Sequence, residues 1–308
     1  MKLLKILKKI FLFLLLALVG MLLFGEIGLR FLGFGNTVLY YNNDFTGYAM
    51  QPNQDRKVLG KRILTNEYSM RSEPLKEDEY RILVFGDSVL NGGLYTDHEK
   101  LATTMLERTL QETDPSVRVL NASCGGWGIN NCWGVTEQYG DFDAKAVILV
   151  VNSHDAMGQL ADYPVAGSLY YPDRQYRFAW QELFCRYILP RFNIYTVTTV
   201  DYTNIYLRYG LSEGWSEFLS LSQEKGIPLV IYLHAQKNEL VEFGEYNYYG
   251  QMILDFAEEN GIPIYTDLEQ EKPEDFRDWI HLTEDGQQLI YNILLPVLQD
   301  LIGSRPAL

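Results

Sequence analysis

The chain has 308 residues, 47% of them apolar and 21% charged, with a formal net charge of −14. That length can bury a full core, and the balance is that of a globular protein rather than a disordered one. With 40 acidic against 26 basic side chains, little is left to neutralise phosphates, which argues against nucleic acid as a partner.

Residues 1–35 differ from the rest. Lys2, Lys5, Lys8 and Lys9 precede an uncharged apolar run from Ile10 to Gly25, closed by Glu26 and Arg30. With Leu3, Leu4, Ile6 and Leu7 added, and lysines able to snorkel, the run reaches the ~20 residues of a bilayer helix. The lysines should stay in the cytoplasm, so a single-pass anchor would place the remainder on the extracytoplasmic side. A cleaved signal peptide is the rival reading. Bulky Leu22-Leu23-Phe24 before Glu26 offers no small-residue cleavage site, and the aliphatic pattern continues through Leu29, Phe31 and Leu32.

Residues 36–80 read as a polar and aromatic connector. Tyr40, Tyr41, Tyr48 and Tyr68 suggest that parts of it dock on the domain or at the membrane interface. From 81 to 308 strands and helices alternate. Near-continuous apolar runs predict strands at 81–85, 117–121, 146–151, 227–233 and about 262–265. Helices are expected near 101–112, 130–139, 213–225, 246–259 and 283–302. This alternation predicts an α/β fold, a parallel sheet covered by helices on both faces.

An aromatic stretch at about 156–210 interrupts the pattern, with Tyr163, Tyr170, Tyr171, Tyr176, Phe178, Trp180, Phe184 and Tyr187. It leaves the sheet at the edge where such folds bind ligands, so it reads as an insertion forming a lid or substrate wall. A satellite core for the insertion itself is the bland alternative. Cys124, Cys132 and Cys185 allow at most one internal disulfide, with Cys124–Cys132 as a candidate pair.

Two stretches carry chemistry. Ile82 to Phe85 is a buried-strand run that stops at Gly86-Asp87-Ser88, which would leave the Ser88 hydroxyl exposed at the carboxyl end of a parallel sheet. Asp278-Trp279-Ile280-His281 precedes the last predicted helix. An Asp and a His three apart can touch, so that the carboxylate holds Nδ1–H and leaves Nε2 free to take a proton from a serine. Capping of the next helix by Asp87 or Ser88, and a surface role for His281, are the plain alternatives.

Together these stretches resemble the SGNH, or GDSL-type, hydrolase superfamily, whose first block is Gly-Asp-Ser and whose last is Asp-x-x-His. Asn121-Ala122-Ser123-Cys124-Gly125-Gly126 matches the second block, and Asn152-Ser153-His154-Asp155 stands where the third should read Gly-x-Asn-Asp. The resemblance spans about residues 80 to 302 and implies a flavodoxin-like three-layer sandwich. It also implies acyl transfer with Ser88 as nucleophile, His281 as base and Asp278 as its orienting partner. The Ser88 and Gly126 N–H groups would be oxyanion donors. The third donor, an Asn in the family, is replaced here by His154, and either His154 or Asn152 could take its place. Asp87, Asp155 and His234 are candidate substrate contacts at the same edge. His98 reads as a solvated loop residue. Four scattered histidines imply no metal site, and no motif calls for a cofactor.

The expected activity is that of a membrane-anchored, outward-facing serine esterase acting on O-acyl groups, such as acetyl, of a cell-envelope glycan or lipid. An SGNH-fold binding or assembly protein for polysaccharide modification or export shares these features. So does an O-acyltransferase with the same triad. Protein partners are not legible in the sequence.

Overall fold

The computed structural model describes residues 2–157, 165–197 and 211–304. Tyr163, expected in the aromatic insertion, lies outside them, as do residues 198–210 of the same stretch. The chain begins with helix α1 (Lys2–Phe31), the one helix among the described residues long and apolar enough to cross a membrane. Most of its described leucines and phenylalanines are exposed, Phe24 by 78%, and only its last turns, near Gly25, meet the rest of the described residues, around Trp180.

Two antiparallel hairpins follow, strand β1 (Tyr40–Asn43) with β2 (Gly47–Met50) and β3 (Asp55–Val58) with β4 (Lys61–Leu64). The sequence reading gives these residues as a connector. In line with the docking its tyrosines suggest, Tyr48 is buried in one core with the domain that follows, together with Met50, Val58, Ile63 and Met70. Tyr68 packs edge-on against Tyr139 and Phe142. The Arg71 side chain is fully buried and donates to the carbonyls of Asn91 and Gly93, which fixes the turn beyond Ser88.

Five parallel strands form the main sheet: β5 (Tyr80–Gly86), β6 (Val117–Ser123), β7 (Ala146–Asn152), β8 (Leu229–His234) and β9 (Ile264–Thr266). Their spatial order is β6-β5-β7-β8-β9, the flavodoxin-like 2-1-3-4-5 pattern within the sheet. Side chains of the strands alternate between faces. Leu83, Phe85, Val147 and Leu149 enter one core with α4 (Ile129–Tyr139), α6 (Glu213–Lys225) and α7 (Tyr248–Glu259). Ile82, Val84, Ile148 and Val150 enter the other with α3 (Ala102–Gln111) and α8 (Glu284–Gly303). Burial on both faces is why these strands read as unbroken apolar runs. The fold is a three-layer α/β sandwich.

The order reverses at β5, so a crevice opens between the carboxyl ends of β5 and β7. Gly86 closes β5, where a Cβ would come 2.7 Å from the carbonyl of Val150 and 2.9 Å from Leu90 Cβ. Only glycine lets the strand end and the next helix pack this closely. That helix, α2 (Ser88–Asn91), is a single turn capped by Asp87, whose carboxylate accepts from Val89 N–H. Ser88 therefore opens a helix at the crevice, and its side chain is half-buried rather than packed away.

Candidate active site

Ser88 and His281, 193 residues apart in sequence, meet across this crevice. His281 Nε2 lies 2.9 Å from Ser88 Oγ. His281 Nδ1 lies 2.8 Å from Asp278 Oδ2 and 3.0 Å from Oδ1. Because a carboxylate only accepts, Nδ1 carries the proton and Nε2 is left to accept from the serine hydroxyl. Asp278 also accepts from the backbone N–H groups of His281 and Ile280, so one carboxylate shapes the loop and orients the ring. Partial burial would raise its pKa, yet these donors and the ring hold it below the usual carboxylate range. The loop is closed by the Phe276–Leu282 bridge and by Arg277 N–H donating to the His281 carbonyl. Thr283 then caps α8 through Gly286 N–H.

Beyond β6 the chain turns through Gly125 and Gly126. A Cβ on Gly125 would be in ordinary contact, 3.9 Å, with Ser88 Cβ, so this turn flanks the hydroxyl. Gly126 has φ +77°, a conformation that suits glycine. The Gly125 carbonyl accepts from two tyrosine hydroxyls, Tyr48 at 2.7 Å and Tyr171 at 3.0 Å. A trans peptide points its N–H opposite to its C=O. The two tyrosines therefore aim the Gly126 N–H away from themselves and fix its direction. Neither was singled out for such a role from sequence, and a Tyr in a hairpin gives no local sign of a partner 77 residues on.

The third block is resolved side chain by side chain. Asn152 is fully buried, and its amide donates to Asp87 Oδ2 at 3.0 Å while its Oδ1 accepts from His154 N–H. It braces the Gly-Asp-Ser turn and does not reach the crevice, so the alternative of Asn152 as oxyanion donor is corrected. His154 remains about a quarter exposed, beside the exposed Trp279, with ring centroids 5.9 Å apart. Desolvation holds its pKa below the usual imidazole range, against the opposing pull of Asp87. Gln236 Nε2 approaches His154 Nδ1 at 3.5 Å, which leaves the proton of the neutral ring on Nε2. That Nε2 lies 3.9 Å from Asp87 Oδ2, on the side of the nucleophile's turn.

Asp87 and Asp155 are both buried. Asp155 accepts from Asn152 N–H, and burial together with the charge of Asp87 pushes its pKa well up. These carboxyls are internal braces, which corrects their assignment to substrate contact.

His234 is likewise corrected. It is fully buried, with Nδ1 2.7 Å from Asp267 Oδ2 and Nε2 2.9 Å from the Ile280 carbonyl. Both partners are acceptors, so the ring donates twice and carries a positive charge. Burial opposes that charge, but Asp267 and Glu271 outweigh it and raise the pKa to about 10. His234 thus ties the end of β8 to the residue preceding His281.

The sequence reading also missed Glu239, which accepts from Ser153 Oγ and the N–H groups of Gln236 and Asn247, and Gln287, which joins α8 to Val89 and Ala102. His98 is buried rather than solvated, and desolvation takes its pKa down to about 4. All three cysteines are free thiols; burial pushes Cys124 up to about 12, which leaves it no part as a nucleophile.

Among the described residues, two clusters bring metal-type donors within 4.8 Å of one another: Asp87, His154 and Asp155, and His234, Asp267 and Glu271. In the first, Asp87 and Asp155 accept from protein N–H groups; in the second, both His234 nitrogens are engaged. A concavity of about 570 Å³ lies at the other end of the strands, lined by Pro228, Leu229, Ile262 and Pro263, away from Ser88.

No family model matches the chain, and no curated protein matches it. Solved structures do match. A two-domain esterase active on acetylated mannans is 13% identical over 74% of this chain and 51% of its own, with a TM-score of 0.43. The chain thus spans about half the length of that esterase. LAE5, an alpha/beta hydrolase enzyme from the metagenome of Lake Arreo, Spain, is 16% identical over 72% of this chain and 96% of its own, with a TM-score of 0.44. A member of the lipolytic protein G-D-S-L family from Veillonella parvula is 14% identical over 71% of this chain and 98% of its own, with a TM-score of 0.43.

Proposed function

We propose that this chain is a serine ester hydrolase held at a membrane by α1, with its α/β domain on the extracytoplasmic side. The observation that carries the reading is the relay Asp278–His281–Ser88, in which both contacts are within 3.0 Å and only one histidine tautomer satisfies them. Ser88 Oγ attacks the ester carbonyl as His281 Nε2 takes its proton. His281 then returns that proton to the leaving alcohol, and water releases the acyl group by the same steps. The intermediate's oxyanion is held by the N–H groups of Ser88 and Gly126 and by His154 Nε2–H.

The substrates we favour are O-acyl groups, acetyl foremost, on a cell-envelope glycan or lipid. Trp279, 57% exposed beside His154, offers a flat apolar face of the kind that packs on a sugar ring or acyl chain.

The test uses the full-length protein in detergent, a fluorophosphonate probe and p-nitrophenyl acetate. Labelling should vanish in Ser88→Ala, and turnover should fall by at least roughly 10³-fold in Ser88→Ala and His281→Ala. A folded wild type that neither labels nor turns over would sink the proposal.

A further inference from the structure

The helix that leads into the domain is also tied to the aromatic stretch after β7. Helix α5 (Ala179–Glu182) opens with its Ala179 and Trp180 N–H groups donating to the Glu26 carboxylate, at 2.9 and 3.2 Å. Trp180 Nε1–H donates to the Leu22 carbonyl at 3.0 Å. A Cβ on Gly25 would overlap the Trp180 ring, so the indole packs closely against the α1 backbone there. Leu22 and Gly25 form the last turn of the uncharged run, and Glu26 is the first charge beyond it. Trp180 is therefore held at the depth where the apolar helix meets the polar phase.

The residues that follow suit that depth. Phe184 stacks near Trp180, with centroids 6.0 Å apart. Phe178, Phe184, Phe192, Ile194 and Tyr195 are exposed, Phe192 by 70%. The Arg186 side chain is buried and paired with Glu182 at 2.9 Å, so the net positive charge of residues 177–195 rests on the exposed Arg177 and Arg191, in a chain of net charge −14. Exposed aromatics with arginines beside a spanning helix are the composition of a membrane–water interface facing anionic headgroups.

We infer that residues 177–195 form a platform that lies in the headgroup and upper acyl region of the bilayer that α1 crosses, with lipid as its occupant. This rests on the anchoring part of the proposed function and goes beyond it, since an anchor alone would leave the domain free to stand off in water. The platform reaches the site's surroundings through Arg186, which donates to the Leu169 carbonyl two residues before Tyr171 and to Thr37 Oγ1.

The experiment is electron paramagnetic resonance on the full chain in nanodiscs of phosphatidylcholine and phosphatidylglycerol. Nitroxides are placed singly at Leu14→Cys, Phe192→Cys and Glu224→Cys in a Cys185→Ser background. Leu14 reports on α1, Phe192 on the platform, and Glu224, exposed on α6, on water. The expected result is a several-fold higher ratio of oxygen to nickel-chelate accessibility at Phe192 than at Glu224, between Glu224 and Leu14 in order. A Phe192 label as aqueous as Glu224, with Leu14 in hydrocarbon, would overturn the platform and leave the anchor standing. An aqueous Leu14 label would overturn both. Dipolar broadening at Phe192 with aqueous accessibility would assign the face to a second copy of the chain instead.

Discussion

At His154 a ring stands where the resembled family carries a short amide, and the surroundings decide whether it can serve. Desolvation lowers its pKa and so favours the neutral ring, and Gln236 beside Nδ1 then puts the proton on Nε2, on the side of the nucleophile's turn. Removing one oxyanion donor typically costs ~10²–10³-fold in kcat. His154→Ala should therefore lower kcat on p-nitrophenyl acetate by about 10²-fold with KM little changed, and His154→Asn should recover much of the loss. If His154→Ala costs less than about tenfold, the Ser88 and Gly126 N–H groups act without it. The relay itself was legible because Asp-x-x-His and Gly-Asp-Ser are short local patterns. The orientation of Gly126 was not, since it depends on hydroxyls brought from a hairpin and from the aromatic stretch.

Between elements, the buried His234 shows how β8 positions the loop that carries His281. Its charge is held by Asp267 on one side and the Ile280 carbonyl on the other, while Tyr232 Oη–H and Ala235 N–H also donate to Asp267. Folding raises this pKa from an ordinary ~6.5 to about 10. A raised histidine contributes its full stabilisation below the unfolded value and loses it as pH climbs through the folded one. Glu271, driven up to about 8 by burial, shifts stability in the same direction. Thermal denaturation should thus show Tm falling from about pH 7 to 10, with a flatter profile above about pH 8 in His234→Gln. A wild-type Tm constant across that range would contradict the charged pair. Sequence alone placed His234 at the right edge of the sheet but turned it toward substrate. Period-two alternation gives a strand's two faces, whereas Asp267, 33 residues on, determines which of them is sealed. The five main strands were legible because burial on both faces leaves unbroken apolar runs. The two hairpins were not, because four-residue strands with mixed burial have no periodicity to read.

The whole molecule is built around a core that residues 36–80 help to close, and this sets where the chain can be cut. Val38, Tyr48, Met50, Val58, Ile63 and Met70 are each at most 4% exposed and join the face of the sheet that holds Leu83, Phe85 and Leu149. At roughly 1.5–3 kcal/mol for each large apolar side chain, their burial contributes on the order of 10 kcal/mol. That is comparable to the entire stability of an ordinary domain. The segment also supplies polar ties: Trp127 Nε1–H donates to the Tyr48 carbonyl, Arg71 holds the turn after α2, and Lys61 pairs with Glu284 at the start of α8. A chain beginning at Arg81 should therefore lose its near-ultraviolet circular dichroism and its cooperative melt, although it keeps Ser88, Asp278 and His281. A chain beginning at Asn36 should retain both, because α1 buries no apolar face in the domain core, and the truncation gives up peripheral contacts of residues 1–35 with Leu59, Arg177, Ala179, Trp180, Glu182 and Tyr187. A cooperative melt from the Arg81 chain would show that the α/β sheet and its helices suffice alone. Its loss would mean that the hairpins belong to the fold, and that Tyr48 reaches Gly125 from within the domain rather than from a tether.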